Sequence, residues 1–292
     1  MTFQTTVDRE ASRQKPRVSF EFFPAKSEKS MGALLAAAEE IAPVQPAFFS
    51  MTYGAGGSTR DRSLEAVEKL VNLGSVPVAG HLTCVDASRA TVDEVARSYL
   101  RAGVKHIVAL RGDSSEVGKP FTPHPDGYRN AADLVAGLKK IADFEISVAA
   151  YPEMHPEARS PKADLDNLKA KIDAGATRAI TQFFFEAETF LRFRDRAAAV
   201  GITVPIVPGI LPVASVTQAW KFAAMCGAQV PDHLRTMFDG LDEQPSVRHL
   251  VTTAVAGQMC LELQKNGVDD FHFYTLNKAT PSLAICRLLG VS

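Results

Sequence analysis

The chain has 292 residues, of which 46% are hydrophobic and 22% charged, a balance typical of globular proteins and unlike that of disordered ones. Its 32 Lys and Arg nearly cancel its 33 Asp and Glu without a basic stripe, which argues against nucleic-acid binding. No apolar run approaches the roughly 20 residues that span a bilayer, and the polar N-terminus is unlike a secretory signal.

Short β-rich runs alternate along the chain with longer segments that have apolar residues at helical spacing. The runs predict eight strands, at 18–23, 47–51, 76–81, 105–110, 145–150, 178–183, 204–207 and 270–274. Several strands are apolar on consecutive positions, as in parallel strands that helices cover. Helical periodicity is clearest at 31–41, 62–73, 91–102, 131–141 and 163–174.

Eight strand–helix units in a chain of this length predict an α/β fold, a (β/α)8 TIM barrel formed as a single domain over 17–292. An open doubly wound sheet is the main alternative, but no strand is followed by GxGxxG. The long interval between the last two strands predicts extra helices at 216–226, 232–238 and 246–265. Residues 1–16 predict an N-terminal arm, either disordered or a frayed helix.

In such barrels the chemistry collects where strands end, and this sequence places polar and aromatic residues there. The strongest candidate for a functional residue is Glu21, which interrupts the strand 18–23 between three phenylalanines. Burial disfavours an ionised carboxylate, which suits a general acid. A buried structural ion pair is an equally acceptable interpretation of this residue.

Two other groups of residues have weaker signals. Arg111, Gly112 and Asp113 follow the fourth strand, and the Arg offers a fork for a phosphate. The loop 151–157 alternates Glu and His, but its two prolines prevent a ligand helix, so we expect no metal site. Four scattered cysteines without a CxxC pair are typical of reduced thiols, and we expect a cytoplasmic enzyme.

Collinear motifs from position 18 onward closely resemble those of the bacterial methylenetetrahydrofolate reductases. The motifs are VSFEFFPA (18–25), MTYGA (51–55), GHLTCVDA (80–87), HIVALRGD (106–113), VAAYPEMHPEA (148–158), RAITQFFFE (178–186), PIVPGILPV (205–213) and DFHFYTLNKA (270–279).

The resemblance implies a barrel that carries FAD and reduces 5,10-methylenetetrahydrofolate to 5-methyltetrahydrofolate, which supplies methyl groups for methionine synthesis. It implies NADH or NADPH as co-substrate, ping-pong kinetics and a homo-oligomer. Glu21 matches the family's general acid, and Asp113 matches a carboxylate near flavin and pterin, so both are predicted as catalytic and substrate-binding residues.

The resemblance also implies the remaining site residues. The positions that match the FAD site, Asp113 among them, are Thr52, Tyr53, Ala55, His81, Arg111, Gly112, Ala131, Tyr151, His155, Ala158, Asp164, Asn167 and Lys171. The positions predicted to contact folate or the nicotinamide cofactor are Gln182, Gln218, Phe222, Tyr274 and Lys278.

At three positions the chain departs from the family's pattern. Asn130 stands where relatives commonly have Tyr, and Tyr128 is the candidate replacement for that flavin contact. Ala170 replaces a basic residue beside Lys171. Lys278 replaces Arg, and a Lys meets the glutamate tail of folate as a point charge without bidentate geometry.

Two other functions stay open from the sequence. One is a different barrel flavoenzyme, of the proline dehydrogenase type, which would not need Glu21. The other is a folate- or flavin-binding protein without catalysis, against which the presence of both Glu21 and Asp113 argues.

Overall fold

The computed structural model describes residues 15–53, 57–114 and 121–292. Residues 1–14 and Ala55, which belong to the predicted arm and the predicted flavin site, therefore lie outside the described part of the chain. Within that part, none of the helices is both long and apolar enough to cross a membrane.

All strands pair in parallel around one sheet, which confirms the predicted (β/α)8 barrel. In chain order they are β1 Arg17–Phe22, β2 Phe49–Met51, β3 Val78–Thr83, β4 His106–Leu110, β5 Glu145–Ala150, β6 Arg178–Thr181, β7 Ile206–Val207, β8 Gly209–Ile210 and β9 Asp270–Tyr274.

The seventh predicted strand, 204–207, corresponds to β7. Pro208 separates it from a further short strand, β8, because a proline has no N–H to donate to the ladder. β7 pairs with β6, whereas β8 pairs with β9. The Pro208 carbonyl still accepts from the His272 N–H at 3.0 Å. The two short strands together occupy one of eight positions and close the barrel.

The helices surround the strands as the periodicity predicts. They are α1 Glu28–Ile41, α2 Gly57–Leu73, α3 Arg89–Arg101, α4 Ala131–Ile141, α5 Pro161–Asp173, α6 Ala187–Ala199, α7 Val216–Cys226, α8 Asp232–Phe238, α9 Pro245–Lys265 and α10 Thr280–Leu288. The extra helices α7, α8 and α9 confirm the prediction for the long interval, while α6 and α10 were not among the named helix predictions.

Side-chain alternation divides the apolar residues into separate layers. Phe20 and Phe22 of β1 lie fully buried between the strands and the outer helices, in the main core. A smaller apolar cluster, which includes Phe48 and Val108, fills the barrel interior. A third cluster joins α7 and α8 to Phe183 at the end of β6.

Gly209 permits the close approach of strands that closes the barrel. Its N–H donates to Thr181 Oγ1 at 2.9 Å, and a Cβ there would meet the Thr181 carbonyl oxygen and the Tyr274 ring. The Tyr274 hydroxyl donates to the same carbonyl at 2.7 Å. Neither the backbone oxygen nor the bonded ring has room to move away.

We predict that Gly209→Ala lowers the free energy of unfolding by roughly 1–3 kcal/mol, the usual cost of overpacking a close-packed site. Urea denaturation followed by circular dichroism measures the change. Gly32→Ala on α1 is the matched control, because a Cβ on Gly32 would meet no atom within 4 Å. That control should be neutral or stabilising, and an equal loss in both variants would contradict the close-approach argument.

Candidate functional site

Two joined cavities open where the strands end, at the face where (β/α)8 barrels carry their sites. The inner cavity has a volume of about 440 Å³ and an apolar lining that surrounds Glu21. Eight predicted site residues line it: Glu21, Thr52, Tyr53, His81, Tyr151, Gln182, Phe222 and Tyr274.

The outer cavity has a volume of about 380 Å³ and lies between the ends of β4 and β5 and the first turns of α4 and α5. The predicted residues that line it are Arg111, Gly112, Asp113, Ala131, Tyr151, His155, Ala158, Asp164, Asn167 and Lys171. Leu110, Ala149 and Tyr151 line both cavities, so the two form one elongated site.

Glu21 lies among imidazoles and not among the phenylalanines that flank it in sequence. Phe20 and Phe22 point outward to the helices, whereas Glu21 points into the barrel. Its Oε2 lies 3.4 Å from His81 Nε2 and 3.6 Å from His272 Nε2, and its side chain is 18% exposed. The structure therefore gives Glu21 different neighbours from the phenylalanines on which the sequence argument relied.

Burial keeps the imidazole of His81 uncharged. His81 is buried, and burial lowers its pKa more strongly than the nearby Glu21 carboxylate raises it. The Glu21 carboxyl consequently faces a neutral ring and has no cationic partner on β3. An ordinary ion pair, the alternative considered from the sequence, does not describe this contact.

Arg111 supplies the cationic group of the outer cavity. Its Nη1 donates to Glu157 Oε2 at 2.7 Å, and its guanidinium lies 4.8 Å from the centre of the Phe121 ring. This hydrogen bond lowers the pKa of Glu157. Arg111 Nη2 is buried and has no hydrogen-bond partner within the described residues, so one arm of the fork remains for a ligand.

The backbone and a lysine shape the rest of the outer cavity. Gly112 has φ +83°, and a Cβ on it would meet Val85 Cγ1 at 2.5 Å, so only glycine fits this turn. Lys171 Nζ donates to the Ala149 carbonyl at 2.6 Å. Because Lys171 is buried, its pKa is lowered to about 8.

The loop 151–157 presents aromatic groups and not metal ligands. The rings of Tyr151 and His155 meet edge to face at 4.6 Å. The His155 N–H donates to Asp164 Oδ2 at 2.9 Å, and His155 Nδ1 accepts from the Glu157 N–H at 3.0 Å. Across the described residues, no cluster of His, Cys, Asp or Glu has a geometry suited to a metal ion.

Asp113 stands at the rim of the outer cavity. Its side chain is 94% exposed and lies 3.7 Å from Arg111 Nη2. Burial is the main cause that raises the pKa of Tyr151 and of Cys226, and the nearby Asp113 raises both pKa values further. Its negative charge therefore acts at the junction of the two cavities, and its predicted catalytic role stays a prediction.

Within the described part of the chain, two predicted site residues are not brought to the cavities. Gln218 on α7 and Lys278 after β9 are exposed and line neither cavity, and Ala55 lies outside the described residues. Tyr128, the suggested replacement at position 130, is wrong: it is 3% exposed and its hydroxyl donates to Asp93 at 2.7 Å.

Asn130 has a structural role as the N-cap of α4, because its Oδ1 accepts from the Asp133 N–H at 2.9 Å. It also lines the outer cavity. An Asn directly before an apolar helical run is a common capping signal, and this signal was available in the sequence.

Sequence reasoning also missed His272 and Ser19, the inner partners of Glu21. His272 is fully buried on β9, and its Nδ1 lies 2.8 Å from Ser19 Oγ. The alternation of DFHFY puts His272 and Tyr274 on one face and Phe271 and Phe273 on the other. Applied to β1, the same alternation puts Ser19 and Glu21 inside the barrel together.

Helix α7, which carries Phe222, is held by a carboxylate from the 3₁₀ helix Leu241–Glu243. Asp242 Oδ1 accepts from the Val216 N–H at 2.8 Å, and Oδ2 accepts from the Thr217 N–H and hydroxyl, each at 2.8 Å. Arg248 Nη1 donates to Oδ1 at 3.1 Å. The hydrogen bonds from Thr217 are the main cause that lowers the pKa of Asp242 to about 2.

Fold and cavities together define a (β/α)8-barrel protein with an elongated binding site at the carboxyl ends of its strands. The family model for methylenetetrahydrofolate reductase matches residues 6–290. The chain belongs to the methylenetetrahydrofolate reductase family.

Curated relatives agree with this assignment over nearly the whole chain. The 5,10-methylenetetrahydrofolate reductase of Pectobacterium carotovorum is 50% identical over 298 residues, covering 100% of this chain and 98% of the relative. The enzyme of the same name from Escherichia coli K12 is 49% identical over 274 residues, covering 94% and 90%.

Solved structures at low identity show the same fold. A Clostridium thermocellum protein that binds two copies of 5-methyl-5,6,7,8-tetrahydrofolic acid superposes with a TM-score of 0.65 at 14% identity, covering 97% of each chain. Dihydropteroate synthase from Xanthomonas albilineans, in complex with 7,8-dihydropteroate, has a TM-score of 0.53 at 15% identity, covering 95% and 93%.

We predict that Asp242→Ala costs about 1–2 kcal/mol of stability at neutral pH, as loss of a helix cap does. The depressed pKa means that Asp242 contributes its stability above about pH 4, its unfolded value, and loses it as the pH falls towards 2. The gap between the variant and the unmodified protein should therefore narrow over that interval in urea denaturation. Glu39→Ala on α1 is the surface control, and a pH-independent gap would contradict the capping role.

Proposed function

We propose that the protein is an FAD-dependent reductase that converts 5,10-methylenetetrahydrofolate to 5-methyltetrahydrofolate with NADH or NADPH. Membership of the family supports the reaction. The observation that carries the proposal is Glu21, a carboxyl group that lies at the floor of an apolar cavity and adjoins a second, cationic cavity.

The outer cavity fits the phosphate-bearing part of FAD. The unpartnered Nη2 of Arg111 offers a donor for a phosphate oxygen, and buried Lys171 adds a second nitrogen. Gly112 brings the backbone to a position that a Cβ would fill. The elongated shape of the joined cavities matches a dinucleotide that reaches from Arg111 towards Glu21.

When bound, FAD supplies the hydride chemistry, accepting a hydride from NADH or NADPH and giving one to the folate. The chain's own residues position the ligands and protonate the folate. Tyr151 and His155 offer ring edges at the junction of the cavities, and Phe222 and Gln182 line the space left for nicotinamide or pterin.

Glu21 is the proton donor in this proposal. The five-membered ring of methylenetetrahydrofolate opens when N10 is protonated, and the resulting iminium carbon accepts hydride. A carboxyl group beside the imidazole of His81, whose pKa burial lowers, and with an opening into the inner cavity is suited to give N10 that proton.

Charged residues at the rim have supporting roles. Asp113 adds negative charge at the junction of the cavities, which favours a cationic iminium. Lys278, exposed beyond β9, offers an ammonium for the glutamate tail of folate. Its loop is held to β1 by Asn277, whose Nδ2 donates to the Phe23 carbonyl at 2.9 Å.

The proposal predicts a two-stage colour change. Purified protein should be yellow, bleach with NADH or NADPH without oxygen, and recolour when methylenetetrahydrofolate is added. Bleaching without recolouring would favour a different barrel flavoenzyme, and a colourless or inert protein would favour a binding protein without catalysis. The same assay, run with each nucleotide separately, decides the co-substrate.

Glu21→Gln should separate the two half-reactions. Glutamine keeps the size of the side chain but cannot donate a proton at neutral pH, so flavin content and bleaching should be retained. Recolouring by methylenetetrahydrofolate should slow by about 10²–10⁴-fold, the usual loss when a positioned acid is removed. Stopped-flow absorbance measures both stages.

The matched control is Glu153→Gln, a half-buried carboxylate on the same side of the barrel that accepts from the Gln229 N–H at 3.0 Å. It should leave both stages unchanged. Equal slowing of both stages in Glu21→Gln would mean that Glu21 positions the flavin, and an unchanged second stage would mean that Glu21 is structural.

A further inference from the structure

Two buried imidazole nitrogens converge on one oxygen of Glu21 without a conventional hydrogen bond. His81 Nε2 and His272 Nε2 lie 3.4 and 3.6 Å from Oε2, and neither has a hydrogen-bond partner within the described residues. Unpaired buried polar atoms are costly, so a native structure keeps them where function uses them.

The ring of His272 is also held at its other nitrogen, Nδ1. His272 is fully buried, and its Nδ1 lies 2.8 Å from the hydroxyl oxygen of Ser19. Ser19 Oγ also lies 3.4 Å from the Phe271 carbonyl oxygen. A hydroxyl can donate in either direction and can also accept, so Ser19 accommodates both neutral tautomers of His272.

We propose that His272, held by Ser19, is a positioning residue whose tautomer follows the protonation state of Glu21. With Glu21 protonated, its O–H donates to His272 Nε2, the Nδ1–H donates to Ser19, and the Ser19 hydroxyl donates to the Phe271 carbonyl. With Glu21 ionised, the Nε2–H donates to the carboxylate and the Ser19 hydroxyl donates to Nδ1.

The proton count balances between these two states. The ring carries one N–H proton in each, and the hydroxyl of Ser19 keeps its own proton throughout. The only net loss is the proton that Glu21 gives away, because the ring loses the proton at Nδ1 and gains one at Nε2 by exchange with solvent. His272 thus accepts a hydrogen bond from Glu21 before the proton is transferred and donates one to Glu21 afterwards, without a fixed charge beside Glu21.

Other titratable groups lie on the strands and the helix around this pair. They are His81 on β3, His106 on β4, Tyr151 after β5, Arg178 on β6, Cys226 on α7, and Asp270 and Tyr274 on β9.

For two of these neighbours, burial moves the pKa away from neutral pH. Burial lowers the pKa of His106 to about 3 and raises that of Tyr274 well above its usual value. Asp270 pairs with Arg17 at 2.7 Å on the far side of the barrel. A tautomer change of His272 that is lost in Glu21→Gln therefore reports the ionisation of Glu21.

The structure offers a matched control for the Ser19–His272 pair. His106 Nε2 lies 2.8 Å from Ser147 Oγ, also inside the barrel, and this pair makes no contact with Glu21. Both serines are at most 1% exposed, so Ser19→Ala and Ser147→Ala remove the same group from equally buried sites.

The tautomer is measured directly by ¹⁵N NMR of the histidine rings in the full chain, with His272→Gln used to assign the signal. As the pH rises, His272 should change from Nδ1–H to Nε2–H in a single step. Glu21→Gln should abolish the step, and Ser147→Ala should leave it unchanged. A single tautomer across the titration, or a step that persists in Glu21→Gln, would overturn the proposal.

The positioning role rests on the proposed function, whereas the tautomer change does not. Ser19→Ala should slow recolouring by methylenetetrahydrofolate about 10-fold to 100-fold, the loss typical of groups that orient an active-site residue. It should also shift the pH profile of that stage while leaving bleaching unchanged, and Ser147→Ala should change neither stage.

The outcomes separate the two ideas. If the unmodified protein never recolours, the proposed function fails and the NMR titration still decides the tautomer change. If the protein recolours and Ser19→Ala behaves like Ser147→Ala in rate and pH profile, the positioning role of His272 is overturned.

Discussion

Side-chain alternation along closed parallel strands is the constraint on which the rest of this structure depends. Every second residue of a strand must face the interior of the barrel, where space is limited and water is scarce. On β1 the outward residues are phenylalanines of the main core, and the inward ones are Ser19 and Glu21. A single strand thus anchors the hydrophobic core and also carries the central carboxyl group.

The interior accommodates these polar groups by bonding them to their neighbours. His106 bonds Ser147, His272 bonds Ser19, and the Tyr274 hydroxyl donates to the Thr181 carbonyl. Ion pairs such as Arg17–Asp270 and Arg178–Glu145 lie towards the opposite end of the strands. Charge therefore concentrates away from the inner cavity, and Glu21 lies in a mainly apolar lining.

The two cavities differ in the charge and polarity of their linings. The outer cavity has cationic groups, Arg111 and Lys171, and a glycine turn, features suited to phosphate groups. The inner cavity is lined mainly by rings and aliphatic side chains, features suited to flat, largely uncharged ring systems. Tyr151 belongs to both linings and stands where a bound dinucleotide would pass from one region to the other.

The sequence predicted the fold well because period-two and helical patterns are local signals. It placed the eight strand positions and the extra helices, and it identified Glu21 and the Arg111 turn from their positions at strand ends. It attributed the environment of Glu21 to adjacent phenylalanines, because neighbours in sequence are visible and neighbours across a barrel are not. His272 is 251 residues from Glu21 in the chain, and only strand pairing brings them together.

The excursion between β8 and β9 has a physical reason connected to the site. Its helices bury an apolar cluster that includes Leu211, Phe183 and Phe238, and Tyr274 and Leu276 pack against this cluster. The same helices present Phe222 and Cys226 to the inner cavity. Because Asp242 ties the first turn of α7 to the following 3₁₀ helix, the cavity wall is fixed at its outer end. Without this excursion the inner cavity, which Glu21 also lines, would lack that part of its wall.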